Sequence, residues 1–261
     1  MRALQIAATG MNAQQLRVEV ISNNLANMNT TGYNPRRAEF ADLHYQQLTA
    51  PGTIAAGDGR LLPTGVQIGL GVRSAAVSMD VVQGTVAQTG GDLDLAIEGR
   101  GMIEVTLPTG QAAYTRDGAL KRDAQGTIVT SDGNPVAPQI VIPDDASRVT
   151  ISPDGEVYAH FRDRVAPEQL GQITLASFTN PKGLEAIGGN LFVETGASGP
   201  ANIGVATSDG MGSLRQGYLE NSSVDAVREV SQLIEAQRGY ELNSKVMTAA
   251  DQMMSATSNI R

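Results

Sequence analysis

Cysteine and tryptophan are both absent from this 261-residue chain. Without cysteine there can be no disulfide, no thiolate metal site and no cysteine nucleophile, although the redox compartment stays open. Only two histidines occur, His44 and His160, and neither lies in an HExxH pair. Nucleophile elbows of the GxSxG type and GxxxxGKS/T phosphate loops are missing. Aromatics make up only 4% of the residues, so a core has to be built from Val, Ile, Leu and Ala. No apolar run approaches the roughly 20 residues of a membrane span. The opening MRALQIAATGMNAQQ does not read as a secretory signal, because Gln5, Thr9 and Asn12 interrupt a short apolar stretch. A basic excess is also lacking. The net charge is −8, to which residues 1–32 contribute +1 and 221–261 contribute −1, so the middle of the chain is the acidic part. That distribution argues against nucleic acid and anionic membrane as partners.

What is present begins with the two ends. From Ser223 to Ile260 there is no proline, and Leu233, Tyr240, Met247 and Met254 recur every seven residues. Val246, Met253 and Ile260 form a neighbouring row, and Ala236 and Ala250 fall three residues after members of the first. A seven-residue apolar repeat on a helix makes a seam that supercoils against another helix. Asn221, Ser222 and Ser223 offer capping oxygens, and Asp225 would place negative charge in the first turn. The N-terminal segment answers it. Leu4, Met11, Val18 and Leu25 are seven apart, with Ala7, Gln14, Ile21 and Met28 three residues behind each. The expectation is a pair of heptad helices; core helices of a globular domain are the plainer alternative.

Between the helices the period changes. Asn23, Asn24, Asn27 and Asn29 compete for backbone hydrogen bonds and weaken a helix, Gly32 suits a left-handed helix end, and Pro35 prevents resumption. Residues 46–65 have no period and read as a long extended loop. From Val66 onward apolar residues alternate with polar ones, at Val66–Val72, Val77–Val81, Leu93–Ile97 and Ile103–Leu107. The turn Pro153-Asp154-Gly155 separates two further runs, a hairpin signal. Residues 173–178 and 191–194 read as strands, and 196–212 as loop. The fold class is therefore mixed α and β, with long N- and C-terminal heptad helices forming a coiled-coil domain and an inserted, mainly antiparallel β domain. The division is 1–32 with 221–261 as the helical domain, 33–65 as a linking segment, and 66–220 as the β domain.

Carboxylates supply the one candidate for catalysis. Asp92, Asp94 and Glu98 could serve a hydrolase as acids. They fail as a helix–loop–helix calcium loop, since Ile97 and Ile103 occupy the positions of the required glycine and glutamate. On a strand, Asp92 and Asp94 share a side, and a solvated face is the simpler reading. Tyr114-Thr115-Arg116-Asp117-Gly118 reads as a structural turn with a charged rim. No nucleophile, base and oxyanion set emerges, and no metal or cofactor site is expected.

Three stretches together resemble a known family. SNNLANMNTTGYNPRRAEF, residues 22–40, is similar to the N-terminal signature of bacterial flagellar rod and hook proteins. GDLDLAIEGRGMIEV with YTRDGAL, residues 91–105 and 114–120, resembles their central motif. QGYLENSSVDAVREVSQLIEAQRGYELNSKVMTAADQMM, residues 216–254, resembles their C-terminal motif. The signature positions are Asn23, Asn24, Leu25, Ala26, Asn27 and Gly32 at one end, and Gln237, Arg238, Tyr240 and Glu241 at the other. Residues 62–73 and 171–195 resemble the distal-rod branch of the family. Gly239, where the family has alanine, Met102-Ile103, where a Phe-Phe pair is usual, and Asn34-Pro35 in the turn are departures.

The resemblance implies a structural subunit and not an enzyme. It implies self-assembly into a helical tube that transmits torque from motor to hook and lines an export channel, with proximal rod or hook-type subunits of the same family as the alternative roles. Leu4, Met11, Val18 and Leu25 would meet Leu233, Tyr240, Met247 and Met254 along the assembly seam. The implied partners are further copies, proximal rod proteins, hook or hook-junction proteins, the periplasmic and outer-membrane ring proteins, and the flagellar type III export apparatus. The implied location is the periplasm-spanning rod of the basal body, reached without a cleaved signal peptide.

Overall fold

Helix α1 spans Arg2–Ala26 and helix α2 spans Ala226–Asn259 in the computed structural model, which describes residues 2–50, 64–164 and 166–259. Helix α1 stops inside its asparagine run rather than at Gly32. Gly32 is left-handed (φ +64°) but serves the turn that follows, where its N–H donates to the Glu220 carbonyl at 2.8 Å. The 34 residues of α2 give a rod of about 51 Å. Its expected serine cap is a correction. Ser223 directs both its N–H and its Oγ to the Tyr33 carbonyl, at 3.1 and 3.3 Å, so it ties two chain segments together instead of capping α2. Ile260 lies outside the described residues. No described helix is long and apolar enough to cross a membrane.

The chain divides into two compact units. The first comprises Met1–Leu25, Arg36–Ser78 and Ala226–Arg261. Besides the helices it holds a β ribbon, in which Arg36–Asp42 pairs with Val72–Met79 and Tyr45–Thr49 pairs antiparallel with Val66–Gly69. Strand pairing therefore extends into the expected loop at residues 46–49, whereas residues 51–63 of that stretch lie outside the described residues. The ribbon lies against α1 at one glycine. A Cβ on Gly71 (φ +115°) would come 2.2 Å from Thr9 Oγ1, and that hydroxyl accepts from the Val72 N–H at 3.3 Å. Because strands 66–69 and 72–79 pair with 45–49 and 36–42, residues 66–78 group with the helices. The sequence division opened the β domain at residue 66.

The second unit, Ala26–Pro35 with Met79–Asp225, is built on a six-stranded antiparallel sheet. Its order is Glu185–Gly188, Leu191–Val193, Ala112–Thr115, Met102–Thr106, Thr174–Ser177, Asn202–Val205. The strand at 202–205 falls where a loop was expected: a glycine-rich polar run carries no alternation signal, and cross-strand pairing with 174–177 supplies the order. A three-stranded sheet, Ala146–Ile151, Glu156–Phe161 and Glu168–Gln172, contains the expected hairpin. Alternation explains how both faces of the large sheet are covered. Ile103, Val105, Leu175, Leu191 and Val193 enter the main core with Leu95, Ile97, Ile128, Val157 and Ile173. The intervening Met102, Ala176 and Phe192 enter a second cluster with Met79 and Tyr114, whose ring meets Phe178 edge-on at 4.9 Å. Met102 and Ile103 thus fill opposite cores, both fully buried.

Candidate assembly surface

In the first unit the helices run antiparallel. Gly10 faces Asn243, Gln14 faces Gly239, Arg17 pairs with Glu235 at 3.5 Å, and Asn24 pairs with Glu229 at 3.2 Å. Partner numbers fall on α2 as they rise on α1, in steps close to helical turns. The closest approach therefore follows Ala7, Gly10, Gln14, Arg17, Ile21 and Asn24 on α1, the row that lies behind the Leu4 row. On α2 it follows Glu229, Ala236, Gly239, Asn243 and Ala250. Ala7, Ile21, Asn24, Ala236 and Ala250 are buried there.

Apart from Ile21, this inner seam is made of small and polar groups. Leu4, Met11, Val18 and Leu25 sit half-buried on its flank, as do Leu233 and Met247, while Tyr240 and Met254 are exposed. Larger apolar side chains point the other way. Val227, Val230 and Ile234 form one exposed row on α2, and Leu242, Val246 and Met253 form another; Val227 is 78% exposed, Met253 65% and Leu242 62%. Solvated helices of globular proteins carry their apolar stripe toward the core; on α2 apolar side chains are spread around the helix, and many of them stay exposed. Between the helices lies an open cleft of about 380 Å³, lined by Gln15, Val18, Gln237, Tyr240 and Glu241. Three of the four C-terminal signature residues line it; Arg238, the fourth, is exposed beside it.

The N-terminal signature has a distinct role. Asn24, 1% exposed, donates through Nδ2 to the Arg36 carbonyl at 2.9 Å and to Glu229 Oε2 at 3.2 Å, and its Oδ1 accepts from the Arg36 N–H at 2.8 Å. One amide therefore joins the end of α1, the start of the β ribbon and the start of α2. Asn23 is exposed, Leu25 half-buried and Ala26 exposed, closing the helix. Asn27 begins the following turn and accepts from Thr30 through both its carbonyl and Oδ1, each at 3.1 Å.

In the second unit the charged rim of the Tyr114–Gly118 turn proves to be a buried node. Arg116 Nε donates to Glu220 Oε2 at 2.7 Å, with the two side chains 6% and 3% exposed. The guanidinium also donates to the carbonyls of Gly101 (3.0 Å), Gly99 (3.0 Å) and Ile97 (3.3 Å), and Glu220 Oε1 accepts from the Gly84 N–H at 2.8 Å. Gly32 completes the node: a Cβ there would stand 2.7 Å from the Arg116 carbonyl oxygen. Neither Arg116 nor Glu220 carries a sequence signal of burial. The glycines near them in space, at 32, 84, 99 and 101, allow close backbone approach but are scattered along the chain.

The three candidate acids do not converge. Glu98 is ion-paired with Arg215 at 2.6 Å, Asp94 accepts from Thr89 Oγ1, and Asp92 offers its backbone carbonyl to Gln216. Among the described residues no group of three or more His, Cys, Asp or Glu could hold a metal ion. Burial, reinforced by Glu194, holds the Glu104 carboxyl above its ordinary range, and Glu104 sits opposite Tyr114 in the sheet.

Comparison with known proteins places these features in one lineage. Residues 4–34 match the family described as flagella basal body rod protein, residues 96–159 the flagellar hook protein FlgE/F/G D1 domain, and residues 215–260 the flagellar basal body rod FlgEFG protein C-terminal region. The chain is 52% identical over 261 residues to a protein of Caulobacter vibrioides named flagellar basal-body rod protein FlgG, covering 100% of both chains. Proteins of the same name from Agrobacterium fabrum and Borreliella burgdorferi are 48% and 45% identical. These alignments cover 99% and 100% of this chain and 98% and 99% of theirs.

Proposed function

This chain belongs to the flagellar basal-body rod protein family, and from that premise we propose that it is a structural subunit of the distal rod. Copies of it join head to tail, by contacts whose rotation does not close, into a helical tube. The tube transmits torque from motor to hook. The terminal helices form its coiled-coil inner layer around the export channel, the linking segment follows, and the acidic β body faces outward toward the periplasmic and outer-membrane ring proteins. Proximal rod proteins adjoin one end of the tube and hook or hook-junction proteins the other. The subunit reaches the periplasm through the flagellar type III export apparatus.

The observation that carries this reading is the large uncovered apolar surface of α2. Its intrachain face is alanine, glycine, an amide and the Glu229 carboxylate, whereas Leu242, Val246 and Met253 are exposed. Covering a side chain of this kind contributes about 1.5–3 kcal/mol. The single chain forgoes that contribution, and a neighbouring copy supplies it. The half-buried Leu4, Met11, Val18 and Leu25 and the row Leu233, Tyr240, Met247 and Met254 contribute the flanks of the same contact. The cleft between Val18 and Tyr240 receives a neighbour's side chain.

Amide hydrogen exchange on the full chain, before and after induced polymerisation, tests the proposal. Residues 226–259 should gain protection in filaments over their level in the monomer, while residues 79–220 are protected equally in both. Equal protection of α2 in a stable monomer and in filaments would remove the motive for assembly.

A further inference from the structure

We propose that two amide side chains, Gln14 and Asn243, form a reciprocal clasp that sets the register of α1 against α2. Each is seated over a glycine of the opposite helix. A Cβ on Gly239 would stand 3.1 Å from Gln14 Cδ, and a Cβ on Gly10 would stand 2.9 Å from Asn243 Nδ2. Gly10 and Gln14 are one turn apart on α1, and Gly239 and Asn243 are one turn apart on α2. An antiparallel pair brings each amide onto the other helix's glycine, so the two contacts are related by an approximate two-fold axis. Asn243 Nδ2 also donates to the Gly239 carbonyl at 3.0 Å, which orients it across the hole.

The second observation is the cost this arrangement accepts. Gln14 Oε1 is buried and has no hydrogen-bond partner among the described residues. A buried acceptor left unmade opposes pairing, so Gln14 is not placed there for stability. A polar group at a seam position does what an apolar one cannot: it fits one register and penalises the others, because sliding the helices drives the amide into apolar or side-chain-bearing positions. Of the remaining seam groups, Ala7, Ala236 and Ala250 discriminate poorly between registers, and the Asn24–Glu229 bond holds only the far end of α1. Gly239, which departs from the alanine of the family signature, makes the room Gln14 needs. The clasp concerns the helix pair within one chain, so it stands or falls separately from tube formation.

The absence of cysteine makes the test direct. In the full chain, Arg17→Cys is combined in turn with Glu235→Cys, with Arg228→Cys and with Leu242→Cys. Mild oxidation is followed by denaturing electrophoresis to separate intrachain from interchain products. With the clasp intact, the 17–235 intrachain disulfide should dominate. In Gln14→Leu, intrachain yields at 228 and 242, one heptad either way, should rise several-fold toward that at 235. Gln14→Ala, which removes the amide without adding apolar bulk, should behave alike and decides the matter if Gln14→Leu gives no cross-link. A single dominant 17–235 product in both variants would overturn the proposal, as would comparable yields at all three positions with Gln14 present.

Discussion

Replacing Arg116 by methionine should remove a large share of the second unit's stability. The substitution keeps most of the aliphatic volume and deletes the charge. Glu220, 2% exposed, then holds a buried carboxylate whose remaining bond is to the Gly84 N–H; the carbonyls of Gly101 and Gly99 lose this donor, while that of Ile97 keeps Gln83 Nε2. Breaking a buried pair by removing one partner costs about 3–5 kcal/mol. Each orphaned carbonyl carries about 1–3 kcal/mol of its own, but the groups act as one network and do not sum. A loss of about 4 kcal/mol is expected, against the roughly 5–15 kcal/mol by which native domains are stable. Urea unfolding of the full chain, followed by far-ultraviolet circular dichroism, reads it as a lowered midpoint. The double variant Arg116→Met with Glu220→Leu leaves no unpaired charge. It should be more stable than Arg116→Met alone, with a coupling above about 2 kcal/mol in the cycle. A single-variant loss below about 1 kcal/mol, or strictly additive losses, would refute the reasoning that this pair is a structural node.

Asn24→Ala removes three hydrogen bonds at the junction of α1, the β ribbon and α2; it should cost about 2–3 kcal/mol and speed hydrogen exchange at the Arg36 amide, whereas unchanged exchange there would dismiss the junction. Leu242→Asp should block polymerisation while moving the monomer's urea midpoint by less than about 0.5 kcal/mol in free energy, as an exposed site allows, and Met247→Asp should block it as well; sedimentation of the polymer is the readout, and normal filaments from both would discard the outer face. Burial raises the Asp117 carboxyl above its ordinary range, against the opposing N–H of Ala119. Its proton is thus held more tightly in the folded state, and the associated stability is fully present below about pH 4 and lost as the pH rises through the raised value. Asp117→Asn keeps the acceptor for Ala119 and should gain stability relative to the parent at pH 7 but not at pH 3; a gain equal at both would contradict the assignment.

The helices were legible because periodicity is a one-dimensional property: both terminal segments announce a seven-residue repeat, and both are helical. The strands at 102–106 and 191–193 were legible by alternation, and the hairpin at 153–155 by its turn residues. The strand at 202–205 was not, since its order comes from pairing with 174–177. The serines before α2 looked like caps because capping oxygens are recognised by type, yet Ser223 donates to the Tyr33 carbonyl, far away in the chain, and Ser222 Oγ accepts from the Val224 N–H. For the signature residues, the sequence marked Asn24 as one of several asparagines; only its burial shows that it is a junction while Asn23 faces solvent.

By itself, then, the sequence determined the element types at the two ends, the β character of the middle, the absence of cysteine chemistry and the family. These depend on local pattern, composition and similarity, all of which survive without coordinates. Tertiary structure alone decided which row of each heptad helix faces inward. Close approach of two backbones favours Ala7, Gly10, Ala236, Gly239 and Ala250, and leaves the bulkier row of α2 exposed in the single chain. It also decided that Arg116 and Glu220, distant in sequence and ordinary in type, share one buried site. A charge becomes a structural node only when folding removes its water and supplies its partners, and that juxtaposition has no one-dimensional trace.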